Sequence, residues 1–143
     1  MGKTAVVYWS GTGNTEAMAQ AIISGAQEIN PDAVLLNVSE TSADDAAQYD
    51  NLILGCPAMG AEVLEESEFE PFFTELEGNL NGKNVALFGS YGWGDGEWMR
   101  SWVERAKTAG ANLVEDEGLM ANEAPDDDVL SQCMELGKKV AAL

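Results

Sequence analysis

Histidine is absent, and bases are scarce: seven Lys and Arg stand against 25 Asp and Glu, a formal charge of −18 at pH 7. Without imidazole there is no serine-histidine or cysteine-histidine catalytic pair, no imidazole proton shuttle and no metal site built on His ligands. A chain this acidic repels nucleic acid and anionic membrane surfaces, so a physiological partner is expected to be basic. Cysteine is limited to Cys56 and Cys133, far apart and with no CxxC, which points to ordinary thiols in a reducing compartment, the cytoplasm. No apolar run approaches a membrane span. The start, Lys3 and then Thr4-Ala5-Val6-Val7-Tyr8-Trp9, has neither the apolar region nor the small-residue cleavage site of a signal peptide.

What is there suits one compact domain over residues 1–143. At 45% apolar residues the chain buries a full core despite its charge, and disorder is disfavoured. Thr4 to Trp9 reads as a buried parallel strand stopped by a glycine turn. Met18, Ala21, Ile22, Gly25 and Ile29 then recur at helical spacing, and Pro31-Asp32 breaks the pattern. Ala33 to Val38 supplies a second strand, Asp44 to Tyr49 a short exposed helix, and Leu52 to Cys56 a third strand ending at Pro57. Phe69, Phe72, Phe73 and Leu76 fall on one helical face, with Pro71 in the first turn where it is tolerated. Val85 to Phe88 is strand four. Trp98, Met99, Trp102, Val103 and Ala106 form the next helical face, Asn112 to Val114 a fifth strand, and Val129, Cys133, Leu136 and Val140 the last helix, with Asp126-Asp127-Asp128 as its cap. Short buried strands alternating with helices predict an α/β protein whose parallel sheet is covered on both faces.

In such sheets ligands bind at the carboxyl ends of the strands. Three strand ends carry unusual loops. Ser10-Gly11-Thr12-Gly13-Asn14-Thr15 runs into a helix N-terminus, where free amides and hydroxyls can surround a phosphate. It lacks the lysine of a nucleotide P-loop and the third glycine of a dinucleotide fingerprint. No Lys or Arg occurs from Thr4 through Gly82, so neutral donors must hold the anion unless a base arrives from later in the chain. After strand three, Pro57-Ala58-Met59-Gly60-Ala61-Glu62 offers a soft apolar plate, a glycine that favours a type II′ turn, and a carboxylate acceptor. After strand four, Ser90-Tyr91-Gly92-Trp93-Gly94-Asp95-Gly96 can bring backbone amides close to a flat ligand that Trp93 covers.

Together with Glu65-Glu66-Ser67-Glu68-Phe69-Glu70-Pro71-Phe72 and Ala86-Leu87-Phe88-Gly89, these motifs cover essentially the whole chain. In that order they resemble a short-chain flavodoxin of the anaerobic-bacterial, clostridial type. The resemblance implies a three-layer sandwich with a five-stranded parallel sheet of order 2-1-3-4-5, one non-covalently bound FMN, and electron transfer between redox proteins. It makes Ser10, Gly11, Thr12, Gly13, Asn14 and Thr15 the phosphate site. Met59 and Trp93 would sandwich the isoalloxazine, with Pro57, Ala58, Gly60 and Ala61 in the same loop. Glu62 would accept from flavin N3, and Ser90, Tyr91, Gly92 and Gly94 would face the pyrimidine edge. Ala61 departs from relatives that often carry Asp or another polar residue, and Pro57 from some that carry Ser.

The same resemblance implies a low-potential one-electron carrier cycling mainly between semiquinone and hydroquinone, with a flip of the Gly60 carbonyl favouring the former. Glu62, Glu65, Glu66, Glu68, Glu70, Glu75 and Glu77, with no base among them, suggest docking to reductase or ferredoxin-type donors and low-potential acceptors with basic surfaces. The charge favours a monomer. The alternative reading is an FMN-dependent NAD(P)H or quinone reductase, which wants positive charge for the nicotinamide phosphates. A response-regulator reading lacks its strand-end carboxylates, and a phosphatase reading lacks an arginine in the loop after Cys56.

Overall fold

A computed structural model describes residues 2–143. The chain alternates β1 (Thr4–Tyr8), α1 (Asn14–Ile29), β2 (Val34–Asn37), α2 (Ala43–Ala46), β3 (Asn51–Gly55), α3 (Phe69–Leu76), β4 (Asn84–Tyr91), α4 (Glu97–Thr108), β5 (Asn112–Leu113), β6 (Leu119–Asn122) and α5 (Asp127–Ala141). All strand pairs are parallel, in the order β2-β1-β3-β4-β5, with β6 also on β4.

The period of two in the strands divides the core between the two faces. Ala5, Val7, Leu52, Leu54, Val85 and Leu87 point to the side covered by α2, α3 and α4. Val6, Tyr8, Ile53, Ala86 and Phe88 point to the side covered by α1 and α5. Every residue of β1 and β3 is buried, which is why both read as unbroken apolar runs rather than alternating ones. Helices α1 and α5 touch backbone to backbone at two glycines. A Cβ on Gly25 would strike the Met134 carbonyl, and one on Gly137 would strike the Ile22 carbonyl.

The expected fifth strand is divided. β5 pairs only Asn84 and Val85, and β6 pairs Phe88 through Tyr91 further along the same side of β4. Between them Glu115-Asp116-Glu117 leaves the sheet into solvent, and Gly118 (φ 74°) turns the chain back. Three consecutive acids do not enter a ladder whose faces are both covered, so one position holds two short strands. The other expected elements form with shifted ends. The first and third strands stop one residue early, the short helix is Ala43–Ala46, and Ile29 lies outside the α1 core at 38% exposure. Asp126 caps α5 as expected, accepting from the Val129 N–H at 2.9 Å.

Candidate functional site

The three loops meet at the carboxyl edge of β1, β3 and β4. Pairing continues past the ends of the strands: Trp9 N–H donates to Gly55 O, Cys56 N–H to Phe88 O and Ala58 N–H to Ser90 O, at 3.0 to 3.2 Å. Between the loops lies a cleft of about 350 Å³. Gly11, Thr12 and Asn14 line one end, and Pro57, Ala58, Met59, Ser90, Tyr91 and Gly92 the other. Trp9 and Glu123 complete the wall. A larger cavity of about 740 Å³ lies between residues 115–119 and α5, away from all three loops.

The first loop is built as an anion cradle. Gly13 (φ 97°) stands at the helix N-cap without a side chain to satisfy the first amides. Ser10 Oγ accepts from Gly13 N–H and Glu16 N–H, both at 3.2 Å, which curls the loop into a ring. Among the described residues, the amides of Gly11, Thr12 and Asn14 donate to no protein acceptor. The helix end adds partial positive charge at the same place. Thr15 is buried, and its Oγ1 lies 3.0 Å from Ser90 Oγ and accepts from Ser90 N–H at 3.3 Å. Thr15 and Ser90 therefore bolt α1 to β4 and set the floor of the cleft. No Lys or Arg lines the cleft, so a phosphate there meets only neutral donors.

The second loop is a three-residue hairpin rather than the expected two-residue type II′ turn. Met59 and Val63 form an antiparallel bridge, with Met59 N–H to Val63 O at 2.9 Å and the return bond at 3.2 Å. That register leaves Gly60, Ala61 and Glu62 in the turn, with φ of 30° at Gly60 and 60° at Glu62. Glu62 reaches across to the start of α4, where its Oε2 accepts from Trp98 N–H at 2.9 Å. Helix α4 has glycine at its N-cap, Gly96, so this carboxylate supplies from another loop the acceptor the helix end lacks. Oε1 rests against Gly94, where a Cβ would collide with it.

In the third loop Trp93 is 75% exposed. Arg100 fastens the following turn through Asp95 and Glu97, at 2.9 and 2.8 Å. Asn122, at the end of β6, donates to Gly92 O at 3.0 Å, and Glu123 N–H donates to Tyr91 O at 2.6 Å. Trp9 and Glu123 line the cleft and Asn122 braces its third loop, and all three escaped the reading of the sequence. Trp9 sits directly before the glycine loop, which is a signal; the other two depend on a strand that no pattern announces. Cys56 is fully buried, and burial pushes its thiol up to about 12. Buried, and followed by a loop without an arginine, Cys56 does not fit the phosphatase reading.

A family model for flavodoxin matches residues 6–137. The chain belongs to the flavodoxin family. It is 53% identical over 136 residues to a flavodoxin of Clostridium beijerinckii, covering 95% of this chain and 97% of that one. It is 48% identical to a flavodoxin of Megasphaera elsdenii, covering 95% and 96%. The solution structure of the two-electron reduced Megasphaera elsdenii flavodoxin superposes with a TM-score of 0.88 at 47% identity, covering 98% of this chain and 99% of that one. Flavodoxins are FMN-binding electron carriers, so the chain is an electron-transfer flavoprotein of the short-chain type and not an enzyme; the reductase alternative is not favoured. It passes electrons to and from redox partners. The uncommitted amides of the first loop and the cleft wall of Pro57, Ala58, Met59 and Tyr91 suit the phosphate and the ring of FMN. No described helix is long and apolar enough to cross a membrane.

Proposed function

We propose that FMN lies along the cleft with its phosphate in the Ser10–Thr15 loop and its ring between Met59 and Trp93, and that the protein relays single electrons at low potential. The observation that carries this reading is the set of uncommitted amides at the N-terminus of α1, at one end of a cleft whose other end is walled by Met59 and the glycine loop. Hydrogen bonds from neutral donors to a charged group contribute about 1.5–3 kcal/mol each, so several amides and the Thr12 hydroxyl hold a phosphate without a cation. Glu62 Oε1, left over from the cap on α4, would accept a hydrogen bond from the ring's N3–H. The Gly60 peptide is open on its Cβ side and can turn its carbonyl toward the ring edge. Bound FMN supplies the one-electron chemistry. Glu62 and the acids around it resist added negative charge: unit charges about 4 Å apart repel by about 4 kcal/mol at an effective dielectric of about 20, which lowers the second potential.

The partners on this reading are proteins with basic rims, reductase or ferredoxin-type donors and low-potential acceptors, and the protein works as a monomer of one domain over residues 1–143. Two free buried thiols, Cys56 and Cys133, support the cytoplasm as its place. Anaerobic titration of the FMN-loaded protein with dithionite tests the reading. The visible spectrum is expected to change in two resolved one-electron steps, the second well below the first in potential. A single two-electron bleaching, or direct oxidation of NAD(P)H by the isolated protein, would overturn it in favour of a reductase.

A further inference from the structure

Trp98 touches both ring-facing loops at once. Its backbone N–H donates to Glu62 Oε2 at 2.9 Å, and its indole Nε1–H donates to the Cys56 carbonyl at 3.0 Å. Its ring packs on Tyr91, with centroids 5.6 Å apart. Cys56 opens the 57–63 loop, Glu62 closes its turn, and Tyr91 begins the glycine loop. Packing on the helix face requires no more than an apolar ring at this position. Trp102, one turn later on α4, meets that requirement alone: its ring stands edge-on to Phe69 and Phe73, and its indole N–H has no partner among the described residues.

The indole bond of Trp98 falls where a buried carbonyl needs it. Cys56 follows the last residue of β3, and a buried carbonyl without a donor is costly. By donating to it, Trp98 fixes the direction in which the chain leaves the sheet toward Pro57, Ala58 and Met59. Gly89 makes room for this bond, because a Cβ there would run into the same Cys56 carbonyl and lie 3.1 Å from the Trp98 ring. We infer that Trp98 is a positioning residue for the cofactor, whose indole N–H holds the Met59 loop and the Trp93 loop at one separation and so sets the width of the slot for the ring. This rests on the placement of the ring between those two loops.

The test compares Trp98→Phe with Trp102→Phe in the FMN-loaded protein. Trp98→Phe keeps a ring and loses the donor. It is expected to weaken both FMN and riboflavin binding by roughly five- to tenfold, the worth of one hydrogen bond, and to shift the visible circular dichroism and the midpoint potentials of the bound flavin. Trp102→Phe is expected to alter unfolding only. Flavin affinity and potentials in Trp98→Phe equal to those of Trp102→Phe would overturn the inference while leaving the ring placement standing. A flavin spectrum unchanged in both Met59→Ala and Trp93→Ala would remove the ring placement, and the inference with it. If Trp98→Phe folds poorly, the native protein gives the answer by NMR: hydrogen exchange at the Trp98 indole N–H is expected to slow at least about fivefold on FMN loading relative to Trp102. Equal slowing at the two indoles would overturn the inference.

Discussion

Glu65 is a carboxylate buried ahead of α3, and burial alone would penalise its charge. It stays ionised because four donors converge on it: the Ser67 hydroxyl, and the N–H groups of Ser67, Glu68 and Phe69 at 2.8 to 3.0 Å. Desolvation raises its pKa, the donors together outweigh that, and the group lies below the usual carboxylate range. Because the folded value is depressed, the stability it contributes is fully present above the unfolded value of about 4.5 and is lost as the pH falls through the folded one. Glu65→Gln should therefore lower the urea midpoint at neutral pH and narrow its gap to the native protein as the pH falls below about 4.5. A gap constant with pH would mean that the turn needs the side chain's shape and not its charge. The sequence shows an acidic run here, but spacing cannot distinguish Glu65, which is structural, from exposed neighbours such as Glu66. Trp98 was legible as a core residue of α4 and not as a tie between loops, since helical periodicity reports which face a side chain takes and nothing about where its N–H goes.

At the scale of elements, the order of strands and helices was legible because buried parallel strands leave uninterrupted apolar runs and glycine or proline marks their ends. β4 is longer than its apolar run, reaching through Gly89 and Ser90 to Tyr91. Those residues are held in the ladder by what lies against them, the Cys56 carbonyl and the Thr15 hydroxyl, which no local pattern shows. β6 was invisible for a related reason: four residues with no alternation become a strand only by pairing with the extended end of β4. The close seat of α1 on α5 yields a sharper expectation. Gly137→Ala gains helix propensity of about 1 kcal/mol but forces a methyl group into the Ile22 carbonyl. A net loss of about 1–3 kcal/mol in urea unfolding is expected. Gly78→Ala, which meets open space, should change little. Equal midpoints for the two variants would show that the helices separate at small cost.

For the whole molecule, charge is the dominant fact. Arg100, Arg105, Lys138 and Lys139 are paired with acids within the chain, and Lys83 is spent on the carbonyls of Ala47 and Tyr49. Arg105 alone grips Glu70 and Glu77, at 2.7 and 3.0 Å, which joins α4 to the acids at either end of α3. The surplus of negative charge is left to act at a distance. Electron transfer to a basic protein acceptor such as a c-type cytochrome should slow by at least about tenfold between about 0.01 and 0.15 M salt, as the Debye length shrinks from about 30 to about 8 Å. A rate indifferent to salt would mean that the acids keep the protein in solution but do not guide its encounters.

The division of the fifth strand bears on that same solubility by another route. An unpaired strand edge is a template on which a second chain can add. Here the outer edge is offered as two pieces of two and four residues, with Glu115, Asp116 and Glu117 standing out between them. A neighbouring molecule finds no continuous row of amides and carbonyls to zip onto. The interruption is thus a guard against stacking into fibres, placed on the side of the sheet farthest from β2.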